Sequence, residues 1–190
     1  MKSIVQKYKR IDGLVNNAVF HPTTKTQNIS LPFTKYPIGL LDKAFKVDLM
    51  GLFVLCQVVG SVMEKQKHGV IVNISSIYGI NGADQRIYGN SKLNSPPSYA
   101  LTKGAIINFT RYLSAYWHNR NIRVNALTLG GVRADSYMTK QFIKNYSKKT
   151  ILGRMAKSDE YNGALIFLLS KAASYMTGAN LIVDGGWSAW

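Results

Sequence analysis

Apolar residues along this chain fall into short, nearly continuous runs separated by longer stretches in which they recur with helical spacing. IDGLVN (11–16), GVIVNIS (69–75), NIRVNALT (121–128) and ANLIVDG (179–185) are of the first kind. Each is rich in β-branched residues or Leu without polar alternation, the pattern of strands covered on both faces. Helical patterns occupy roughly 40–66, 98–118, 137–147 and 158–170. Strands alternating with helices predict an α/β fold on a parallel sheet, with 1–190 as a single domain. Ser158 followed by Asp159 and Glu160 predicts the start of the last helix, and Gly178 a turn before the last strand.

The stretch LMGLFVLCQVVGSVM (49–63) is apolar almost all round, so the helix is expected to be buried on its second side by subunit packing. Cys56 within it reads as a small core hydrophobe. This stretch includes Gln57 and two Gly, and is shorter than the roughly 18 apolar residues that a membrane span needs. The opening MKSIVQKYKR lacks the apolar core of a secretory signal. A cytoplasmic chain with no membrane partner is the expectation.

Composition narrows the class without changing it. An apolar fraction of 46%, with 16 Gly and 5 Pro, excludes collagen-like and disordered chains. The single Cys excludes a disulfide framework or a thiolate-rich zinc site. His21, His68 and His118 lack ligand spacing, so no metal is expected and they read as surface or loop residues. Twenty-four Lys+Arg against 9 Asp+Glu give a net charge of +15. These cations are spread along the chain rather than clustered with aromatics, which favours a solvated basic surface over nucleic-acid binding. Lys140, Lys144 and Lys148, at i, i+4 and i+8, line one face of a helix.

Several motifs follow in order. The first strand ends in Asn16-Asn17-Ala18, and the second in Asn73-Ile74-Ser75-Ser76. Tyr99 and Lys103 form Tyr-x-x-x-Lys at the start of the next helix, and IRVNA (122–126), GRM (153–155) and TGANLIVDGG (177–186) follow. Asp48 lies in KVDLMG. Taken together, the chain resembles the short-chain dehydrogenase/reductase family across nearly its whole length. The resemblance implies a Rossmann-like doubly wound parallel sheet and hydride transfer between NAD or NADP and a small-molecule carbonyl or alcohol. It implies Tyr99 as acid/base, Ser76 positioning the carbonyl, and Lys103 contacting the nicotinamide ribose. Asp48 stands where the family usually has an Asn that holds a water of the proton relay. Asn17, Ala18, Lys103, Gly130 and Val132 match cofactor-contact positions. A homo-oligomer packed through the helices 49–63 and 98–118 is also implied. The insertion before Tyr99 is similar to members found among sugar-modification enzymes for bacterial surface polymers.

The residue types suit that chemistry. Tyr at i and Lys at i+4 share a helix face, and a cation beside a phenol is expected to favour the phenolate and bring proton exchange nearer neutral pH. Tyr88 and Lys92 have the same spacing, and Tyr88 lies 12 residues after Ser76 against 23 for Tyr99. Gly89, Asn90 and Ser91 are poor helix formers, however, and Pro96-Pro97 forbid extension. Tyr99 follows Ser98, a good N-cap, and sits 26 residues before Asn125, so 79–97 reads as an inserted loop. The resemblance places a substrate lid over 130–157, and the lysine face within it suggests an acidic sugar as substrate.

Departures from the family pattern are visible too. Val19 stands for the usual Gly, Leu129 for the usual Pro, and Ala134 for a common Thr. Asp48 adds a charge that is expected to stabilise protonated Lys103. A complete family member opens with a strand and a TGxxxGxG turn at the pyrophosphate. The 190 residues contain no such turn, and the resemblance implies a chain that begins inside the helix before the fourth strand, about 60–70 residues short at ~30 per βα repeat. Impaired catalysis follows as an expectation. The alternatives are a non-catalytic remnant that pairs with intact subunits and, third, a nucleic-acid-binding module.

Overall fold

The computed structural model describes residues 2–20, 31–91, 93–136 and 138–190. His21, Lys92 and Tyr137 lie outside the described residues. Helix α1 (Lys2–Tyr8) leads into β1 (Gly13–Asn16). Then follow α2 (Ile38–Ala44), a π-helical segment (Phe45–Met50) and α3 (Gly51–Gln66), which form one continuous helix. The remaining elements are β2 (Gly69–Ser76), α4 (Pro97–Tyr116), β3 (Ile122–Leu129), α5 (Lys140–Ser147), α6 (Asn162–Leu169) and β4 (Asn180–Val183).

The strands form one parallel sheet in the order β1-β2-β3-β4. Its fold class is therefore the expected α/β one. β2 is buried along its whole length, and its alternate side chains supply two cores. Ile71, with Val124 of β3, packs under α3 and α4 through Leu52, Cys56, Val59, Met63, Ile106 and Leu113. Val70, Val72 and Ile74 face the other way, onto Leu168 of α6. The continuous apolar runs of β2 and β3 thus become buried strands between two helix layers, whereas β1, at the sheet edge, is not covered on both faces as its run predicts: Gly13 and Val15 are exposed. Gly60 lets α3 approach the end of α4: a Cβ there would lie 2.3 Å from the Trp117 ring, whose Nε1 donates to Glu64 Oε1 (3.0 Å).

Several local expectations need correction. The helix runs unbroken from Ile38 to Gln66, 29 residues, so the apolar stretch 49–63 is only its second half; by length and composition alone it is long enough to cross a membrane. Leu40, Ala44, Leu52, Cys56, Val59 and Met63 are nevertheless buried in this protein, as expected of a helix packed along one face. Its other face leaves Met50, Phe53, Val54, Leu55 and Val58 exposed. Burial pushes the Cys56 thiol up to about 11, in keeping with a core residue. Ser158 does not start α6. The helix begins four residues later at Asn162, because Glu160 turns back to pair with Arg154 and accept from Lys157 N–H (2.8 Å). Ser98 does not cap α4 either. Pro96 is the N-cap, Pro97 takes the first turn, and the Ser98 hydroxyl is bonded to Tyr36 Oη (2.8 Å). Gly178 does turn the chain before β4, at φ +71°.

Candidate active site

Parallel strands deliver their carboxyl ends to one side of the sheet, where a crevice forms. β1 delivers Asn16 to Val19, β2 delivers Ser75 and Ser76, and β3 delivers Leu129 to Val132. Helix α4 starts beside the end of β2, and the contact is close because Gly79 has no side chain. A Cβ at Gly79 would lie 2.6 Å from Lys103 O. The Ser75 hydroxyl donates to that same carbonyl (2.8 Å), and Lys103 Nζ reaches back to Ile74 O (2.9 Å). Strand end and helix are therefore fastened at both the backbone and the side chain of Lys103.

Tyr99 lies one turn before Lys103, whose ammonium sits 5.6 Å from the centre of the Tyr99 ring. Ser76 ends β2, caps the following 3-10 turn by accepting from Tyr78 N–H (3.2 Å), and lies beside the Tyr99 phenol. Asp48, only 2% exposed, enters from the π-helical segment. Its Oδ1 accepts from Phe20 N–H (2.6 Å) and its Oδ2 from the Thr102 hydroxyl (2.8 Å). Ser76, Tyr99, Lys103 and Asp48 are thus brought together from three elements. Thr102 was not singled out from the sequence. Its place directly before Lys103 carries no signal until Asp48 is seen opposite.

The electrostatics differ from the expectation of a cation-stabilised phenolate. Burial raises the Tyr99 phenol above its ordinary range, the Ser76 hydroxyl acts against this, and the charge of Asp48 adds to it. Lys103 stands over the ring face. Lys103 itself is lowered by burial, and the attraction of Asp48 opposes this without overcoming it. The Tyr99 phenol is therefore protonated at neutral pH.

Beside this site, the stretch around residues 84–88 packs against α5 and the turn after it. Tyr88 lies in a 3-10 turn (Gln85–Tyr88), not in an α-helix, and packs on Phe142 of α5 with ring centres 5.1 Å apart. Asn145 donates to Ile87 O (3.1 Å), and Lys149 pairs with Asp84 (2.7 Å). Tyr78 stands edge-on to Tyr99 at 6.4 Å and lies next to the Tyr88 phenol. The loop and α5 therefore pack as one body. Lys140, Lys144 and Lys148 are all exposed, while Phe142, Ile143 and Tyr146 on the opposite face enter the core with Trp187.

On the cofactor side, Asn17, Ala18 and Val19 are exposed beyond β1. The Ile74 carbonyl engages one of the three Lys103 ammonium hydrogens, so Lys103 retains donors for a ribose. Gly130 is committed to the fold: its N–H donates to Val183 O (2.9 Å) and its carbonyl accepts from Tyr161 Oη (2.9 Å). A Cβ at Gly130 would lie 2.8 Å from Asp184 Cα. Val132 pairs with Ala156 in an isolated parallel bridge that fixes the base of the 130–157 segment. These residues suit the nicotinamide end of a dinucleotide. His68 and His118 are exposed on the surface.

The family model described as Enoyl-(Acyl carrier protein) reductase matches residues 1–188. The chain is 35% identical over 190 residues to a 3-oxoacyl-(acyl-carrier-protein) reductase of Thermotoga maritima, covering 98% of this chain and 70% of that protein. A short chain dehydrogenase from Leptospira borgpetersenii, crystallised with bound NAD+, superposes at TM-score 0.87 with 37% identity, covering 98% of this chain and 68% of that one. A gluconate 5-dehydrogenase from Burkholderia cenocepacia, in complex with NADP and tartrate, superposes at TM-score 0.85 with 28% identity, covering 100% and 69% respectively.

Proposed function

This chain belongs to the short-chain dehydrogenase/reductase family, and we propose that it carries the hydride-transfer site of a nicotinamide-dependent oxidoreductase acting on a small carbonyl or hydroxyl compound. The observation that carries this reading is the convergence of Tyr99, Ser76 and Lys103 at the carboxyl edge of the sheet, fastened there by Gly79, Ser75 and Ile74. Asn17, Ala18 and Lys103 on one side, and the strand end Gly130–Val132 on the other, would hold the cofactor. When bound, the nicotinamide supplies or accepts the hydride. Tyr99 Oη gives its proton to the substrate oxygen in reduction and recovers it in oxidation. The Ser76 hydroxyl holds that oxygen, and Lys103 orients the ribose while balancing charge near the phenol. The relatives bound to NAD+ and to NADP support either cofactor.

The gluconate 5-dehydrogenase supports a sugar acid as substrate. Lys140, Lys144 and Lys148 lie exposed along one face of α5. An oligomer is supported by a groove of about 560 Å³ between the π-helical segment and α4, bordered by Phe45, Met50, Phe53, Ile106 and Phe109. A cytoplasmic location agrees with such an enzyme. The second reading, pairing with an intact relative without catalysis, is favoured by the same exposed stripe on α3. Incubation with millimolar NADH or NADPH and a panel of small ketones and keto-acid sugars, followed at 340 nm, tests the first reading. Turnover is the expected result; none with any pair, together with tight co-purification with an intact relative, overturns it.

A further inference from the structure

Ser76 ends β2, and the turn after it (Ile77–Gly79) sets a second phenol beside Tyr99. Tyr78 N–H donates to Ser76 Oγ (3.2 Å), and Gly79 is wedged against Lys103, so the turn cannot slide along either neighbour. The Tyr78 ring stands edge-on to the Tyr99 ring, with centres 6.4 Å apart and planes at 85°. Both side chains are half-buried, so each keeps part of its surface open. Tyr78 therefore borders the same spot that Ser76 and Tyr99 border, where the reacting oxygen would lie.

Packing alone does not call for a hydroxyl on this ring. Tyr78 packs against the cluster that includes Ile87 and Tyr146, a place that phenylalanine would fill as well. A phenol hydroxyl is costly to take from water unless it finds partners. The Tyr78 hydroxyl adjoins that of Tyr88, and Tyr88 adjoins the buried Ser95. A run of three hydroxyls makes two internal hydrogen bonds and leaves one donor over at an end. Ser95 is the buried end of this run, and Tyr78 is the end beside Ser76 and Tyr99. Tyr146 accepts from Gly131 N–H and is held instead at the end of β3.

The run is also rigid. The Tyr88 ring packs on Phe142 with centres 5.1 Å apart, and Asn145 donates to Ile87 O (3.1 Å). Gln85 and Ser95 are joined by two hydrogen bonds (2.9 and 3.3 Å) that close the inserted stretch on itself. Little side-chain freedom is left to lose when a ligand hydroxyl arrives.

Resting on the hydride-transfer reading above, we propose that Tyr78 determines specificity: its hydroxyl, backed by Tyr88 and Ser95, binds a hydroxyl on the carbon next to the reacting carbonyl. The site then takes hydroxyketones of the sugar and polyol class over plain ketones of the same size. One such positioned hydrogen bond raises kcat/KM for the hydroxyketone by on the order of tenfold.

Hydroxyacetone and butanone differ only by a hydroxyl in place of a methyl on that carbon. Tyr78→Phe removes one oxygen and keeps the ring. With millimolar NADH or NADPH, it is expected to lower kcat/KM for hydroxyacetone by on the order of tenfold and to leave butanone within about twofold. Tyrosine 13Cζ NMR of the full chain, with Tyr78→Phe to assign the signal, gives a second readout without cofactor or turnover. Millimolar hydroxyacetone is expected to shift the Tyr78 signal, and butanone to leave it in place. Equal losses on the two ketones overturn the proposal. So does a Tyr78 signal that hydroxyacetone leaves unmoved, or that both ketones move alike. Failure of the hydride-transfer reading shows separately, as turnover that survives Tyr99→Phe.

Discussion

Gly79→Ala probes the fastening of the strand end to α4 more directly than any change at the reacting groups. The new Cβ would lie 2.6 Å from Lys103 O, 2.8 Å from Lys103 C and 2.8 Å from Ser75 Oγ, where ordinary contact begins at 3.4 Å. Two of these three atoms are backbone, so no flexible side-chain tip can swing away, and α4 must retreat from β2 by a large part of an ångström. Overpacking of this kind costs about 1–3 kcal/mol. The loss of unfolded-chain freedom returns about 0.4–1 kcal/mol, leaving a net destabilisation of about 1–2 kcal/mol. At the usual urea sensitivity of ~1–3 kcal/mol per molar, the unfolding midpoint falls by roughly 0.5–1 M. Displacing Lys103 and Tyr99 relative to Ser76 also costs on the order of tenfold in turnover. Gly82→Ala is the control, because a Cβ there meets no atom within 4 Å. Urea unfolding followed by tryptophan fluorescence decides the matter. A Gly79→Ala midpoint equal to the native one, or an equal loss in Gly82→Ala, refutes the reasoning.

Two other outcomes are expected. Changing Lys140, Lys144 and Lys148 together to Gln leaves KM for a sugar-acid substrate within about twofold at low salt, since all three face solvent; a several-fold rise would place them at the substrate. If the proposed oligomer packs through α3, Phe53→Asp, on the exposed stripe where Phe53 stacks on Phe109 at 5.9 Å, lowers the mass read by light scattering to that of a monomer, and an unchanged mass contradicts the proposal.

The parallel sheet was legible because strands with helices on both faces must be apolar without alternation, and 69–75 and 121–128 carry that pattern with little else competing. Helix-breaking residues around Tyr88 distinguish it from Tyr99 in the sequence, and α4 does start at Pro97 whereas Tyr88 lies in a 3-10 turn. Helix caps were less legible. Ser98 and Ser158 have the right residue type, but Tyr36 takes the first hydroxyl and the Arg154–Glu160 pair reshapes the approach to α6. The π-helical turn left no local mark, since it depends on what Asp48 finds across the interior. The sign of the charge effect on Tyr99 was also out of reach. Residue spacing brings Lys103 near the ring, but only the fold shows that its ammonium is tied to Ile74 and that burial dominates.

The central claim is that Tyr99 exchanges the proton. Steady-state reduction of a small carbonyl at 340 nm, with millimolar NADH or NADPH and matched stability of each variant, tests it most directly by comparing Tyr99→Phe with Tyr88→Phe. Tyr99→Phe is expected to lower turnover by about 10²–10⁴-fold while Tyr88→Phe stays within a few-fold of native. Equal losses in the two variants, or a loss confined to Tyr88→Phe, contradict the assignment.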